Sequence, residues 1–280
     1  MTGAASGFIR GKTGGAENCP DACLSVPSWV IPGTYAENLR FLENKRAVEG
    51  VELLFFIYDD ETRAQLEAEW ESICSFRERF VFTAHLPETL LPEHEELVSR
   101  LAPLVRHFIV HPPLENPAAL AELITGWAKK YGSGGEKLPS GAPCSAEGRA
   151  APRFLVENTF GELFEKILPF LGEETGLCMD TGHLLLGNKS PAAFFSRHRD
   201  RVAEIHLHGV DREAALCDGR LADHRGLRRG EAWLGELLPL LKNYGGVINL
   251  EVFSWEEARA GTLLLRDVAH NERDDARDAP

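Results

Sequence analysis

Histidines and carboxylates recur at one kind of position in this 280-residue sequence, at or just beyond the ends of short apolar runs. Imidazole nitrogens and carboxylate oxygens are suitable ligands for Zn²⁺, Mn²⁺ or Fe²⁺, and a carboxylate can bridge two ions because both of its oxygens accept a bond. If the fold gathers these residues, they predict a centre for divalent metal ions. The candidates are His85, His111, Glu157, Asp180, His183, His206, His208, His224 and Glu251.

A purely structural role is the alternative for each of these residues taken singly. Asp180 and His183 could form a turn and a helix cap, since an aspartate accepts bonds from free backbone N–H groups. Glu157 could be held by backbone amides, and Glu251 could pair with an arginine. The same placement recurs on most of the apolar runs, however, and this recurrence favours the metal centre. His94, His107, His198 and His270 lie elsewhere in the pattern and are interpreted as structural.

Two pairs of candidate ligands lie close together in the sequence. Asp223 and His224 are adjacent, and neighbouring side chains on an extended segment point to opposite faces, so only one of the two is expected to bind metal. His206 and His208 are two residues apart and share a face. His206 is therefore the expected ligand, while His208 either contacts substrate or fills a further position.

The elements that must position these residues are short runs rich in Val, Ile, Leu and Phe, alternating with segments of helical periodicity. Eight strands are predicted: 24–30, 51–57, 80–85, 107–111, 153–157, 177–180, 202–208 and 247–251. Helices are predicted at about 35–46, 61–78, 93–104, 117–131, 160–171, 190–199, 230–242 and 255–268.

Eight such units predict an α/β fold, a single-domain (β/α)₈ TIM barrel, with a doubly wound open sheet as the alternative. A barrel brings the carboxyl ends of all its strands to one mouth, where the candidate ligands would meet. The predicted barrel spans 23–268, after a flexible Gly-rich segment at 1–22 and before a polar tail at 269–280. A Gly-, Ser- and Pro-rich surface insertion is expected at about 132–152.

Composition narrows the class of protein. The formal net charge of −13 argues against a nucleic-acid partner. The six cysteines are scattered without the framework of a small secreted domain, which predicts reduced thiols and a cytoplasmic location. No apolar stretch has the length of a transmembrane segment, so no membrane partner is expected.

The candidate ligands stand in motifs that resemble those of the xylose-isomerase-like (AP endonuclease 2) superfamily of barrels. The motifs are FTAHLP, IVHPP, VENT, MDTGH, IHLHG and LEVF. The resemblance implies that Glu157, Asp180, His206 and Glu251 hold one ion, as in sugar epimerases. His85 and His111 look like the additional ligands of the endonuclease IV branch, in which the glutamate matching Glu157 bridges two metals. At that branch's third site the sequence departs from the pattern, because an Asp-x-His motif is replaced by Asp223-His224.

A closer resemblance, to the cobamide-remodelling phosphodiesterases, lies in SVPSWVIPGTYAENLRFL, VELLFFIYDD, FTAHLP and RHFIVHPP. It implies hydrolysis of the phosphoribosyl bond in the nucleotide loop of a cobamide, a small-molecule corrinoid. The nucleoside of the lower ligand would leave and cobinamide phosphate would remain. The residues alone indicate only metal-assisted hydrolysis or isomerisation.

The resemblance also implies roles for individual residues. Two divalent ions are expected, the first held by His85, His111 and Glu157, and the second by Glu157, Asp180, His206 and Glu251. His183, His208 and His224 would bind phosphate, supply protons or complete a third site, and the expected catalytic residues are Glu157, His183, His208 and Glu251. The alternatives are a sugar-type isomerase or epimerase, with Glu157 and Glu251 shuttling a proton beside a single ion, and a non-catalytic corrinoid-binding protein.

Overall fold

The computed structural model describes residues 22–131, 152–159, 161–211 and 223–277. Within these ranges, eight short strands alternate with helices, and every predicted strand overlaps an observed one. The strands are β1 (Cys23–Pro27), β2 (Gly50–Leu54), β3 (Val81–His85), β4 (Val105–Val110), β5 (Arg153–Glu157), β6 (Gly176–Asp180), β7 (Val202–His206) and β8 (Val247–Asn249). The predicted ends of β1 and β2 were too late, because apolar residues such as Trp29 and Ile57 are exposed in the following loops.

The eight strands close into one parallel barrel. Each strand pairs with its neighbours in sequence, and β1 pairs with β8 through Cys23 to Val247, Leu24 to Ile248 and Ser25 to Asn249. The predicted (β/α)₈ barrel is therefore confirmed, and the open doubly wound sheet is excluded. All strands point the same way, so their carboxyl ends form a single mouth.

The helices lie between successive strands. They are α1 (Tyr35–Leu42), α2 (Asp60–Ser75), α3 (Glu95–Leu101), α4 (Pro117–Tyr131), α5 (Leu163–Ile167), α6 (Thr181–Leu186), α7 (Pro191–His198), α8 (Ala232–Leu237) and α9 (Trp255–Arg277). Short 3₁₀ turns at Pro92–His94, Leu168–Phe170 and Leu238–Leu241 complete the predicted helices around α3, α5 and α8. Two differences stand out: α6 was not predicted, and α9 continues past its predicted end at residue 268.

Local start signals explain where several helices begin. The Asp59 side chain accepts a bond from the Thr62 backbone N–H at the start of α2, and Ser190 does the same for Ala193 at the start of α7. Thr34 and Glu37 form a reciprocal capping box at the start of α1. These bonds satisfy backbone donors that have no partner inside the helix.

The space between barrel and helices is filled by apolar side chains, whereas the barrel centre contains polar ones. Phe55, Phe82, Phe108 and Phe154 are fully buried in the main apolar cluster. The buried polar residues on the strands are Ser25, Glu52, Thr83, His85, His107, Glu157, Asp180, Glu204, His206 and Asn249. Interiors of such barrels are normally dominated by branched apolar side chains, so this polar interior marks a departure that must be explained.

Several sequence predictions concern segments at the edge of the described ranges. The predicted segment at 1–22 and the insertion at 132–152 each have a single described residue, Ala22 and Pro152, and otherwise lie outside the description.

Cys23 and Cys178 are free thiols, but Cys74 is disulfide-bonded, so the expectation of reduced thiols is wrong at Cys74. No helix in the described part of the chain has both the length and the apolar character to cross a membrane.

Candidate metal centre

Three predicted ligands from neighbouring strands meet at one side of the barrel mouth. His85 ends β3, His111 follows β4 and Glu157 ends β5. The Nε2 atom of His85 lies 3.1 Å from Oε2 of Glu157, and Nε2 of His111 lies 3.4 Å from the same oxygen. The other ring nitrogen of His85, Nδ1, is 3.0 Å from the Leu86 carbonyl oxygen, which fixes the orientation of the ring. These three residues are the ligands predicted for the first ion.

Glu157 also contacts two further histidines, so it joins two parts of the cluster. Its Oε1 lies 3.2 Å from Nδ1 of His183, and its Oε2 lies 3.5 Å from Nδ1 of His206. Burial alone would raise the pKa of this carboxyl, but the surrounding imidazoles, above all His111 and His206, outweigh burial and hold the pKa well below its ordinary value. Glu157 is therefore a charged carboxylate at the centre of four imidazoles.

Asp180 lies at the end of β6 and has two roles. Its Oδ1 accepts a 2.6 Å bond from the backbone N–H of His183 and caps α6, which was the structural alternative considered for this pair. Its Oδ2 is 3.0 Å from Nε2 of His208, so the same carboxylate also belongs to the cluster. Asn158 holds Asp180 in place: its side chain donates to the Asp180 carbonyl and accepts from the Asp180 N–H, both at 2.9 Å.

His206 lies at the end of β7, fully buried between three carboxylates. Its Nδ1 is 3.2 Å from Oε2 of Glu251 and faces Glu157, while its Nε2 is 3.1 Å from Oε1 of Glu52. Despite these short distances, neither ring nitrogen is aligned for a hydrogen bond, and Oε2 of Glu251 and Oε1 of Glu52 are likewise without one. Burial lowers the pKa of His206, but neighbouring groups raise it well above its ordinary value.

Asp223 and His224 both reach the cluster, so their side chains do not point to opposite faces as expected, while metal binding by only one of them stays a prediction. Oδ1 of Asp223 is 3.2 Å from Nδ1 of His208, and its Oδ2 is 3.7 Å from Nε2 of His183. Nδ1 of His224 lies 3.6 Å from Oε2 of Glu251. The prediction assumed an extended backbone, whereas His224 adopts a left-handed conformation with φ of 53°. This turn brings the adjacent side chains to the same side.

His208 and Gly182 are packed against each other behind the cavity. His208 is fully buried, with Asp180 at one ring nitrogen and Asp223 at the other. His208 is buried and does not line the cavity, so it fits a further ligand position in the cluster better than a position in contact with substrate. A Cβ atom on Gly182 would collide with Cε1 of His208 and Oδ1 of Asp223. Glycine at this position of the MDTGH motif therefore allows the close approach.

The arrangement fits divalent cations. Two ligand atoms that each lie about 2.0–2.1 Å from a tetrahedral ion are about 3.3 Å apart, which is the spacing of the nitrogen and oxygen pairs around Glu157 and Glu251. Groups of ligand atoms within 4.8 Å of one another include His85, His111 and Glu157; Glu157, Asp180 and His183; and His208, His224 and Glu251. The buried ring nitrogens of His206 and Oε2 of Glu251 have no hydrogen-bond partner among the described residues, as is expected of atoms that bind a cation. All eight predicted metal ligands belong to this connected cluster.

A large cavity opens over the cluster. Its volume is about 1340 Å³, and its wall includes His85, His111, Glu157, His183, Asp223, His224 and Glu251. The rest of the wall is mainly apolar and comes chiefly from the loops after β2, β3, β4 and β8 and from α4; it includes Phe56, Leu90, Leu91, Leu114, Leu123, Trp127 and Phe253. Ligand pockets typically measure about 300–1,000 Å³, so this cavity has room for more than a simple sugar.

Sequence reasoning missed Glu52, which lies inside β2 and touches His206. A lone glutamate in the middle of an apolar run was a usable signal, because an unpaired buried carboxylate is costly. Among the histidines interpreted as structural, His107 pairs with Glu204 at 2.9 Å below the cluster, and His198 packs on Phe194. His94 packs against Tyr58, and the side chain of His270 is outside the description.

Comparison with known proteins gives the fold but no family. No protein-family model matches the sequence, and no curated protein matches it. Solved structures do match. The zinc-bound IOLI protein is 14% identical with a TM-score of 0.58, covering 90% of this chain and 96% of that chain. A D-tagatose 3-epimerase-like protein is 15% identical with a TM-score of 0.56, covering 90% and 99%.

Endonuclease IV from Thermus thermophilus is similar over the same extent, at 16% identity and a TM-score of 0.53, covering 89% of this chain and 99% of that chain. A xylose isomerase domain containing protein from Salmonella typhimurium also matches, at 17% identity and a TM-score of 0.54, covering 91% and 98%. At such low identity these likenesses show the fold alone. The chain thus shares its fold with an epimerase-like protein, a xylose isomerase domain containing protein and an endonuclease.

Proposed function

We propose that this protein is a metal-dependent phosphodiesterase that acts on the nucleotide loop of cobamides. In the reaction, water adds to phosphorus and the bond from phosphorus to a ribose oxygen breaks. The oxygen leaves with a proton as part of the lower-ligand nucleoside, and the phosphate stays on cobinamide. This substrate is the one implied by the resemblance of the motifs around His85 and His111 to the cobamide-remodelling phosphodiesterases.

The observation that carries the proposal is the position of Glu157. One of its oxygens lies within 3.5 Å of His85 and His111 on one side and of His206 on the other. If one ion were held by Glu157, Asp180, His206 and Glu251 alone, His85 and His111 would have no role as metal ligands. Two adjoining ligand sets that share a carboxylate are instead the arrangement used for in-line displacement at phosphorus.

Divalent ions bound to these residues would neutralise charge on the phosphoryl oxygens and lower the pKa of water. The chain itself contributes His183, whose ring lies on the cavity wall between Glu157 and Asp223. Burial lowers the pKa of His183, but Asp180, Glu157 and Asp223 outweigh burial and raise it to about 11. In the metal-free protein its ring is therefore protonated, so with two ions bound elsewhere His183 is a candidate donor of the proton that the leaving ribose oxygen needs, whereas as a ligand of a third ion it would lose that proton.

The cavity supports a large substrate with an apolar part. Leu114 is 85% exposed and lines the cavity together with Leu91 and Phe253. Trp29 and Ile57, exposed in the loops after β1 and β2, add apolar surface on adjoining strands of the same mouth. A sugar needs few such contacts, whereas a corrin macrocycle offers a broad face to cover.

The direct test is to incubate the purified protein, loaded with Zn²⁺ or Mn²⁺, with a cobamide and to follow cobinamide phosphate and nucleoside by liquid chromatography and mass spectrometry. We expect turnover by the wild type. Glu157→Gln removes the shared charge and should abolish turnover while the circular dichroism spectrum is unchanged. Glu78→Gln, at an exposed position away from the mouth, is the matched control and should keep wild-type activity. Wild-type activity in Glu157→Gln would reject the proposal.

A sugar-type isomerase or epimerase is the second candidate, and one observation favours it. The carboxylates of Glu157 and Glu251 both lie beside Nδ1 of His206, at 3.5 and 3.2 Å, so both are close to the place of a single ion, as a proton shuttle beside one ion requires. One ion per chain, with His85 and His111 dispensable, would support this candidate. Binding of a cobamide without any product would instead indicate a corrinoid-binding protein that has no turnover.

A further inference from the structure

A carboxylate in the middle of the barrel lies directly beneath the metal centre. Glu52, in β2, is fully buried, and no lysine or arginine pairs with it among the described residues. Its Oε1 lies 3.1 Å from Nε2 of His206, and its Oε2 accepts a hydrogen bond from the side-chain amide of Asn249. A buried carboxylate costs free energy that a branched apolar side chain would not, so this placement calls for a reason.

We propose that Glu52 is a positioning residue that fixes the orientation and the tautomer of His206. A neutral imidazole has one N–H donor and one acceptor nitrogen, and the group facing one nitrogen decides which is which. Although the pair is not aligned for a hydrogen bond, the negative charge of Glu52 at 3.1 Å from Nε2 favours a proton on that nitrogen. The lone pair is then left on Nδ1, the atom that faces Glu251 at 3.2 Å and Glu157 at 3.5 Å. Glu52 thus presents Nδ1 of His206 to the cation.

The opposite tautomer is disfavoured on both sides of the ring. A lone pair on Nε2 would face the lone pairs of the Glu52 oxygen, and the proton on Nδ1 would occupy the side on which the cation must bind. A carboxylate behind a metal-binding histidine also makes the ring a stronger ligand. A bound cation acts in the same direction, because its positive charge favours the ionised form of a nearby carboxylate.

A second buried carboxylate in the same barrel provides the comparison. Glu204 accepts a 3.0 Å bond from the Thr83 hydroxyl and pairs with Nδ1 of His107 at 2.9 Å. It is buried as completely as Glu52, but its histidine is not a predicted ligand and lies on β4 below the mouth. Glu204 has a ligand atom within 4.8 Å of those of Glu52 and His206, but its own close partners are Thr83 and His107, so it serves as a control for a buried charge near the ring that does not face Nε2 at short range.

The inference rests on the metal centre of the proposed function, although it does not require the proposed substrate. Its test is the affinity for Zn²⁺, measured by competition with a chromophoric chelator, in wild type, Glu52→Gln, Glu52→Leu and Glu204→Gln. Glu52→Gln keeps an acceptor oxygen and removes the charge, whereas Glu52→Leu removes both. Thermal unfolding of the metal-free variants shows separately what each change does to the fold.

We expect Glu52→Gln to weaken zinc binding by about 10- to 100-fold, the usual effect of losing such a partner, and Glu52→Leu to weaken it further. Glu204→Gln should keep the wild-type affinity even if it lowers the unfolding temperature. Long-range ¹H–¹⁵N spectra of ¹⁵N-histidine protein should show the proton of His206 on Nε2 in the wild type with zinc.

Equal zinc affinity in wild type and Glu52→Gln, or a proton on Nδ1 of zinc-bound His206, would overturn the inference. So would an equal loss of affinity in Glu204→Gln, because the effect would then be one of general packing. A wild type that binds no zinc would defeat the inference and the proposed function together. Weakened zinc binding in Glu52→Gln, with no wild-type turnover of cobamide, would defeat the proposed substrate alone.

Discussion

Asp223 and His224 are adjacent in sequence, yet both side chains face the cluster, because the backbone of His224 turns into the left-handed region at φ 53°. Asp223 contacts His208 and His183, while His224 contacts Glu251. The sequence lacks the Asp-x-His spacing expected of a third site, but this turn delivers both residue types to one place. His208, His224 and Glu251 have ligand atoms within 4.8 Å of one another and Asp223 contacts His208, so a third cation site at this turn is geometrically feasible.

The first prediction concerns that site. Asp223→Ala should lower the metal content by about one ion per chain, because it removes the carboxylate between His183 and His208. Metal per chain is measured by inductively coupled plasma mass spectrometry after dialysis. Asp200→Ala, at an exposed carboxylate before β7, is the control and should leave the content unchanged. An unchanged content in Asp223→Ala would show that this carboxylate holds no ion.

The second prediction separates the two candidate reactions. His111→Ala removes a contact to Glu157 that only a two-ion centre needs. Cobamide hydrolysis should then fall by more than about 100-fold, since loss of a ligand exceeds the 10- to 100-fold effect of losing a ligand's partner. Steady-state rates with excess metal provide the measurement. Full activity in both His111→Ala and His85→Ala would instead support a single-ion isomerase.

The third prediction tests the close packing at Gly182. An alanine there would push against His208 and Asp223, which should destabilise the protein by about 1–3 kcal/mol and weaken metal binding. Gly235, within α8, has open space around its Cβ position, so Gly235→Ala should stabilise by about 0.5–1 kcal/mol. Urea unfolding gives both values. Normal stability and metal affinity in Gly182→Ala would contradict the packing described.

The fourth prediction is that zinc binding releases protons. In the metal-free protein burial lowers the pKa values of His183 and His208, but the surrounding carboxylates raise them to about 11 and about 9. Both rings are thus protonated at about pH 7, and each must lose a proton to become a ligand. Zinc affinity should consequently increase as the pH rises from neutrality toward the pKa of His208. Calorimetry in two buffers of different ionisation enthalpy detects the release, and a binding heat independent of the buffer would contradict it.

The fifth prediction concerns the apolar wall. Leu114→Asp places a charge where the proposed substrate lays its macrocycle, so KM for the cobamide should increase about tenfold or more. Cleavage of bis(p-nitrophenyl) phosphate, which has no macrocycle, should change little. Leu263→Asp, at an exposed position on α9, is the control. Equal effects of Leu114→Asp on both substrates would argue against corrin binding at this wall.

The fold was predictable because the periodicity of apolar residues gave both the number and the order of the elements. The same alternation placed His85, Glu157, Asp180 and His206 at strand ends, and there the structure has them. Contacts that depend on backbone turns were not predictable. The helix α6 forms because Asp180 caps it, and the positive φ of His224 has no signature in the residue type beyond a mild tolerance. The lone glutamate at Glu52 signalled a buried carboxylate, but a single polar residue inside a strand does not reveal which group it faces.

The pair of hydrogen bonds between Asn158 and Asp180 links the ends of β5 and β6 with protein atoms only. The relative position of these two strand ends is therefore fixed by bonds between protein atoms and does not depend on ions. Binding then involves little reorganisation, so protein stripped by a chelator would regain its ions at a rate set by diffusion and dehydration, without passing through a refolding step.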